Sequence, residues 1–116
     1  MSAGGDADDG AGTVCLFVCA ECPGGAQRLA QVGAALAGTG CDVRASACLS
    51  GCRSGASVAV RAPGRMAYLF GPLTEADLPG LRRFVALYLA APRGEIADAR
   101  PLGSLRLRVL ARIPCP

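Results

Sequence analysis

Two apolar runs in this 116-residue chain each lead into a pair of cysteines. "TVCLFVC" (13–19) opens the pair Cys19-x-x-Cys22, and "CDVRASA" (41–47) opens the pair Cys48-x-x-x-Cys52. Between them lies "AQRLAQVGAALAG", where Leu29, Val32, Gly33 and Leu36 recur at helical spacing. Pro23 suits the first turn of that helix, and Gly38 or Gly40 can end it. A strand, a helix and a second strand joined in this way run parallel under a right-handed crossover. Parallel strands end at the same edge of their sheet, so the loops after both strands should meet there. This feature constrains the fold more than any other, because it would bring four thiols to one place.

The rest of the chain extends the pattern. "SVAVRAPGRMAYLFG" reads as a β-hairpin, with strands at about 57–62 and 66–70 and a turn at "APGR" built on Pro63 and Gly64. In "LTEADLPGLRRFVALYLA", Thr74 and Asp77 form a capping pair. Leu81, Phe84, Val85 and Tyr88 then make one apolar stripe, and Pro79 sits in the first turns. Tyr68 and Phe70 read as core, and Arg82 and Arg83 as the wet side of the helix. The order is β-α-β and then β-β-α, an α/β layout of the thioredoxin-like kind. At the C-terminus, "SLRLRVLARIPCP" alternates. Leu105, Leu107, Val109, Ala111 and Ile113 point one way, and Arg106, Arg108 and Arg112 the other. Period two predicts an extended arm over about 100–116, laid on something apolar.

Residues 1–12, mostly Gly, Ala and Asp, have little to pack and read as a disordered tail, leaving 13–116 as one domain. They lack the basic and apolar regions of a secretory signal, and no apolar run approaches a membrane span of ~20 residues. The expected location is the cytoplasm, where thiols stay reduced. There, seven cysteines point to metal or redox chemistry rather than to a disulfide framework.

The chain contains no histidine, which excludes mixed Cys/His zinc sites, Rieske ligation and Cys–His nucleophile pairs. All twelve basic residues are arginine. The tail holds three of the nine acids, so twelve bases face six acids in the remainder, and such a body favours acidic partners. Aromatic residues are few and no arginine-rich helix stands out, so nucleic acid is not indicated.

Four thiolates without histidine suit structural zinc or an iron–sulfur cluster. Zinc ribbons use two similar CxxC knuckles on hairpins. Here one pair opens a helix and the other, CxxxC, lies in a loop. That asymmetry favours a 2Fe–2S cluster with Cys19 and Cys22 on one side and Cys48 and Cys52 on the other. Ser50, Gly51, Ser54 and Gly55 would let backbone N–H groups approach the sulfurs.

A CxxC between a first strand and a helix also matches dithiol oxidoreductases, with Cys19 as nucleophile and Cys22 as resolving thiol. Such enzymes place a cis-proline before the third strand, and no proline lies between Pro23 and Pro63. Cys15 and Cys41 read as packing residues, and Cys115 as a bystander.

"VCAEC", "PGG", "CLSGC", "YLFGPL", "ALYLAAPRG" and "RVLARIP" span roughly residues 13–114. With them the chain resembles a family of short bacterial predicted metal-binding proteins of unknown function, related to thioredoxin-like 2Fe–2S ferredoxins. The resemblance implies a thioredoxin-like fold and a metal held by Cys19, Cys22, Cys48 and Cys52. It gives no known reaction. Members lie beside cobalamin-biosynthesis genes, which brings in a zinc- or cobalt-binding accessory role linked to cobalamin metabolism as an alternative.

Ferredoxins of this kind space their first two ligands more widely than CxxC, so Cys15 stands as an alternative ligand. As an electron carrier the protein would not itself catalyse a bond change. Its arginine face would suit an acidic redox partner protein or an anionic corrinoid precursor. The apolar side of the arm would suit a second copy of the chain.

Overall fold

A computed structural model describes residues 13–20, 24–47 and 56–114. Five strands form one mixed sheet: β1 (Cys15–Cys19), β2 (Asp42–Ser46), β3 (Val58–Arg61), β4 (Ala67–Phe70) and β5 (Val109–Ile113). Two α-helices join them, α1 (Gly25–Ala35) and α2 (Leu78–Ala90), with 3-10 segments at Glu75–Asp77 and Arg100–Arg108. The order across the sheet is β2-β1-β3-β4-β5. β1 and β2 are parallel, as the crossover through α1 demands, and the other neighbours are antiparallel. The chain is therefore an α/β protein with helices on a five-stranded mixed sheet. Among the described residues, no helix is long and apolar enough to cross a membrane.

Side-chain alternation sorts the sheet into two faces. Leu16, Val18, Val58, Val60, Tyr68 and Phe70 point to one side and are buried. Val32 and Leu36, at the end of α1, meet them there, as do Leu81, Phe84, Val85 and Tyr88 of α2, in one continuous core. Both helices thus cover the same face. The opposite face, with Cys15, Phe17, Ala59 and Leu69, is half-buried and carries no helix among the described residues.

The aromatic share of the core is concentrated in one half. Tyr68 packs edge-on against Phe84 (4.9 Å between ring centroids) and against Tyr88 (5.9 Å), and Phe70 packs edge-on against Phe84 at 5.0 Å. Both hydroxyls find backbone acceptors. Tyr68 donates to the Gly94 carbonyl at 3.0 Å, and Tyr88 to the Met66 carbonyl at 2.6 Å. The core of the β1–α1 half is non-aromatic, built mainly of Val and Leu, with Cys41 packed against it.

Two arginines, Arg82 on the exposed side of α2 as the sequence predicts and Arg65 in the hairpin turn, bind helix ends through their tips. Arg82 donates to the carbonyls of Ala35 (3.0 Å) and Ala37 (2.9 Å), where α1 ends and its carbonyls lack helical partners. Arg65, in the hairpin turn, does the same for α2 through Tyr88 (3.2 Å) and Leu89 (3.0 Å). At the start of α2, Pro79 fills a first-turn position where a missing N–H costs nothing. Gly80 sits so close to the Leu102 backbone that a Cβ there would collide with its carbonyl oxygen.

The C-terminal arm departs from the sequence-based expectation. Only Val109–Ile113 is a strand, and Arg100–Arg108 coils in 3-10 turns broken at Gly103 (φ 61°). Leu102 and Leu105, three apart, are both buried, which is the period of a 3-10 turn rather than of a strand. Leu107, expected on the same side as Leu105, is 73% exposed.

The expected arginine face also breaks up. Arg106 and Arg112 are exposed, but Arg108 turns inward and its Nε donates to the buried Asp77 carboxylate at 3.0 Å. Thr74 and Asp77 do form the capping box. Asp77 accepts from the Thr74 backbone N–H (2.8 Å) and hydroxyl (3.0 Å), and the Ser104 hydroxyl donates to its other oxygen. One carboxylate therefore ties the α2 start to the arm.

Candidate metal centre

Cys19 is the last residue of β1 and lies beside Ser46, the last residue of β2. Two backbone hydrogen bonds clamp this strand end. The Ala20 N–H donates to the Ser46 carbonyl at 2.9 Å, and the Cys19 N–H to the Ser57 carbonyl at 3.0 Å. The described chain runs out of the sheet to Ala20 and Ala47 and resumes at Gly24, which caps α1, and at Ala56, two residues before β3. Both cysteine-bearing loops thus start from adjacent strand ends at one edge, as the β-α-β pattern predicted. Cys19 itself is buried, with 1% of its surface exposed.

The re-entry points are tightly built. Gly24 caps α1 in the left-handed region (φ 76°), where glycine has no Cβ to strain. A Cβ on Gly25 would lie 2.7 Å from the Ala20 carbonyl oxygen, so the first turn of α1 rests directly on the strand exit. Ala56 returns from the second loop at φ 48°, uncommon for a residue with a side chain, and its carbonyl accepts from the Leu73 N–H at 3.1 Å. The described ends of both cysteine-bearing segments, the start of α1 and the β4–α2 connection therefore lie at one end of the sheet.

Of the sequence-predicted ligands, Cys19 alone falls among the described residues. Cys22, Cys48 and Cys52 lie outside them, as do Cys115 and the 1–12 tail. Among the described residues no group of three or more metal-capable side chains comes together.

The remaining two cysteines sit elsewhere. Cys15 starts β1, four residues from Cys19, which is about 13 Å along a strand. Cys41 immediately precedes β2 at that same far end and packs against the core. Burial pushes the Cys41 thiol above its ordinary pKa, only partly offset by the Thr39 hydroxyl, while Cys15 nearby pushes it further up. That is the behaviour of an inert packed thiol, not an activated one.

No curated protein and no solved structure matches the chain. A family model described as a protein of unknown function (DUF1636) matches residues 16–115, from the first strand to beyond the last, so the chain belongs to the DUF1636 family.

Proposed function

We propose that the protein is a small one-electron carrier holding a 2Fe–2S cluster through Cys19, Cys22, Cys48 and Cys52. The observation that carries this reading is the adjacency of the ends of β1 and β2, closed by the Ala20–Ser46 hydrogen bond. It gives CxxC and CxxxC a common origin at one edge, as a four-thiolate centre requires. The strand order β2-β1-β3-β4, with the first pair parallel and the rest antiparallel, is what a thioredoxin-like framework needs, and β5 extends it. Cys15, at the opposite end of β1, is poorly placed to replace a ligand. The donor set fits the cluster chemically: four soft thiolates and no imidazole. The cluster would supply the redox step. The chain would fix the sulfurs, limit water around Cys19 and present the site to a partner.

That partner would be an acidic protein. Arg106 is exposed, makes no hydrogen bond or ion pair with the described residues, and adjoins the exposed Leu107. Both lie just before Val109, which pairs with Phe70 in the row that continues through Val58 and Val18 towards Cys19. Three strand spacings, about 14 Å, separate this corner from β1, within the footprint of a small redox encounter. Arg106→Glu should slow reduction by an acidic electron donor several-fold at low salt. Salt should erase the difference between variant and native protein.

The primary test is anaerobic purification with a visible spectrum and metal analysis on one sample. The expected result is a brown protein with iron and sulfide each near two per chain. A colourless protein with about one zinc per chain would replace the carrier with a structural or metal-handling site. A protein without metal would leave the Cys19–Cys22 dithiol.

A further inference from the structure

β5 forms one edge of the sheet, and no strand covers its outer side among the described residues. Five large apolar side chains are exposed among those residues. Four of them, Leu107, Val109 (37%), Leu110 (42%) and Ile113 (58%), fall on β5 or within two residues of it. The other edge is guarded. β2 carries Asp42 and Arg44, joined by an ion pair. Charge on an edge strand resists strand addition, whereas an apolar edge with open N–H and C=O groups invites it.

The sequence of β5 also selects what can be added. Two copies related by a twofold axis pair antiparallel with one residue facing itself, because such contacts are isologous. An axis through Arg112 would set two guanidinium groups face to face. An axis through Leu110 would pair only Val109 to Ala111 and leave Arg112 and Ile113 beyond the start of the partner strand. An axis through Ala111 avoids both, placing Ala111 against its own copy and Leu110 against an Arg112 stem, whose methylenes can cover it. Of the three registers, this one pairs the whole of β5 without opposing like charges.

We infer that the chain forms a homodimer by antiparallel β5–β5 pairing about Ala111, joining two five-stranded sheets into one. The twofold axis stands normal to the sheet, so the helices of both copies lie on one face. The register shift between Leu69 and Phe70 confines the regular ladder to the residues after Val109. The interface is short, on the order of 1,000 Å², which places it among weak, reversible contacts.

Sedimentation equilibrium on the purified chain, over about 1–300 μM, tests this directly. The expected result is a monomer at the low end and a dimer at the high end. Ala111→Glu opposes two carboxylates at the axis and should weaken association about fivefold, while Ala111→Val adds a β-branched pair and should tighten it by up to about fivefold. Because the two variants must move the constant in opposite directions, misfolding cannot imitate the result. Arg44→Glu, on the far edge, should leave the constant unchanged. A native chain that stays monomeric at the highest concentration, or a dimer indifferent to Ala111→Glu, overturns the proposal. Neither outcome bears on the metal content of the same sample.

Discussion

Asp77→Ala is expected to remove about 3 kcal/mol of stability, a large share of what a domain of this size holds. The carboxylate is fully buried and accepts from four donors: the Thr74 N–H and hydroxyl, the Ser104 hydroxyl and Arg108 Nε. Removing it leaves those donors without their acceptor and a guanidinium turned towards the core, 29% exposed. The melting temperature should fall by roughly 10–15 °C, read by calorimetry. Asp77→Asn keeps the shape but loses the charge, and should cost about half as much.

Burial alone would raise the Asp77 pKa. The hydrogen bonds from Ser104, Thr74 and Arg108 outweigh that and leave it below the ordinary carboxylate value. A depressed folded-state pKa means that the stabilisation is present above the unfolded value and is lost as pH falls through the folded one. The stability gap between native and Asp77→Ala protein should therefore be full at neutral pH and shrink below about pH 4. A gap that widens in acid would contradict this assignment.

Cys19→Ser should reduce iron from about two per chain to near zero and erase the visible band. Cys15→Ser and Cys41→Ser should leave both intact. The contrast rests on position: Cys19 ends β1 beside Ser46, whereas Cys15 and Cys41 occupy the far end of the same strand pair. A buried hydroxyl in place of the thiol costs about 1–3 kcal/mol, which leaves the chain folded. Loss of iron from Cys15→Ser, with Cys19→Ser unaffected, would reassign the ligand.

The parts of this fold that were legible in the sequence are those written in local periodicity. The apolar run of β1, the hairpin strands, the helical stripe of α2, the Pro63–Gly64 turn and the Thr74–Asp77 box all depend on near neighbours in the chain, although β1 buries one face fully and the other only by half. The shared exit of β1 and β2 followed from topology, because a right-handed crossover leaves no other arrangement. The arm departs from its sequence pattern because two periods overlap there. Leu102 and Leu105 obey three, Val109 to Ile113 obey two, and the leucine–arginine alternation between them imitates a strand. Arg108 was unreadable for a different reason, since its carboxylate lies 31 residues earlier and local pattern carries no record of that distance. The candidate site is read from residue types and spacing, and the structure places Cys19 beside Ser46 at the strand ends from which both cysteine-bearing segments leave.

The placement of the tyrosines decides what fluorescence can report. The chain has no tryptophan, and both of its tyrosines, Tyr68 and Tyr88, lie in the aromatic cluster of the β4–α2 half with their hydroxyls bound to carbonyls. Intrinsic emission therefore reads the packing of that half. Unfolding frees both phenols and alters the signal, whereas a local rearrangement around Cys19 leaves their surroundings in place. In the metal-free chain the two tyrosines are thus a built-in gauge of the scaffold.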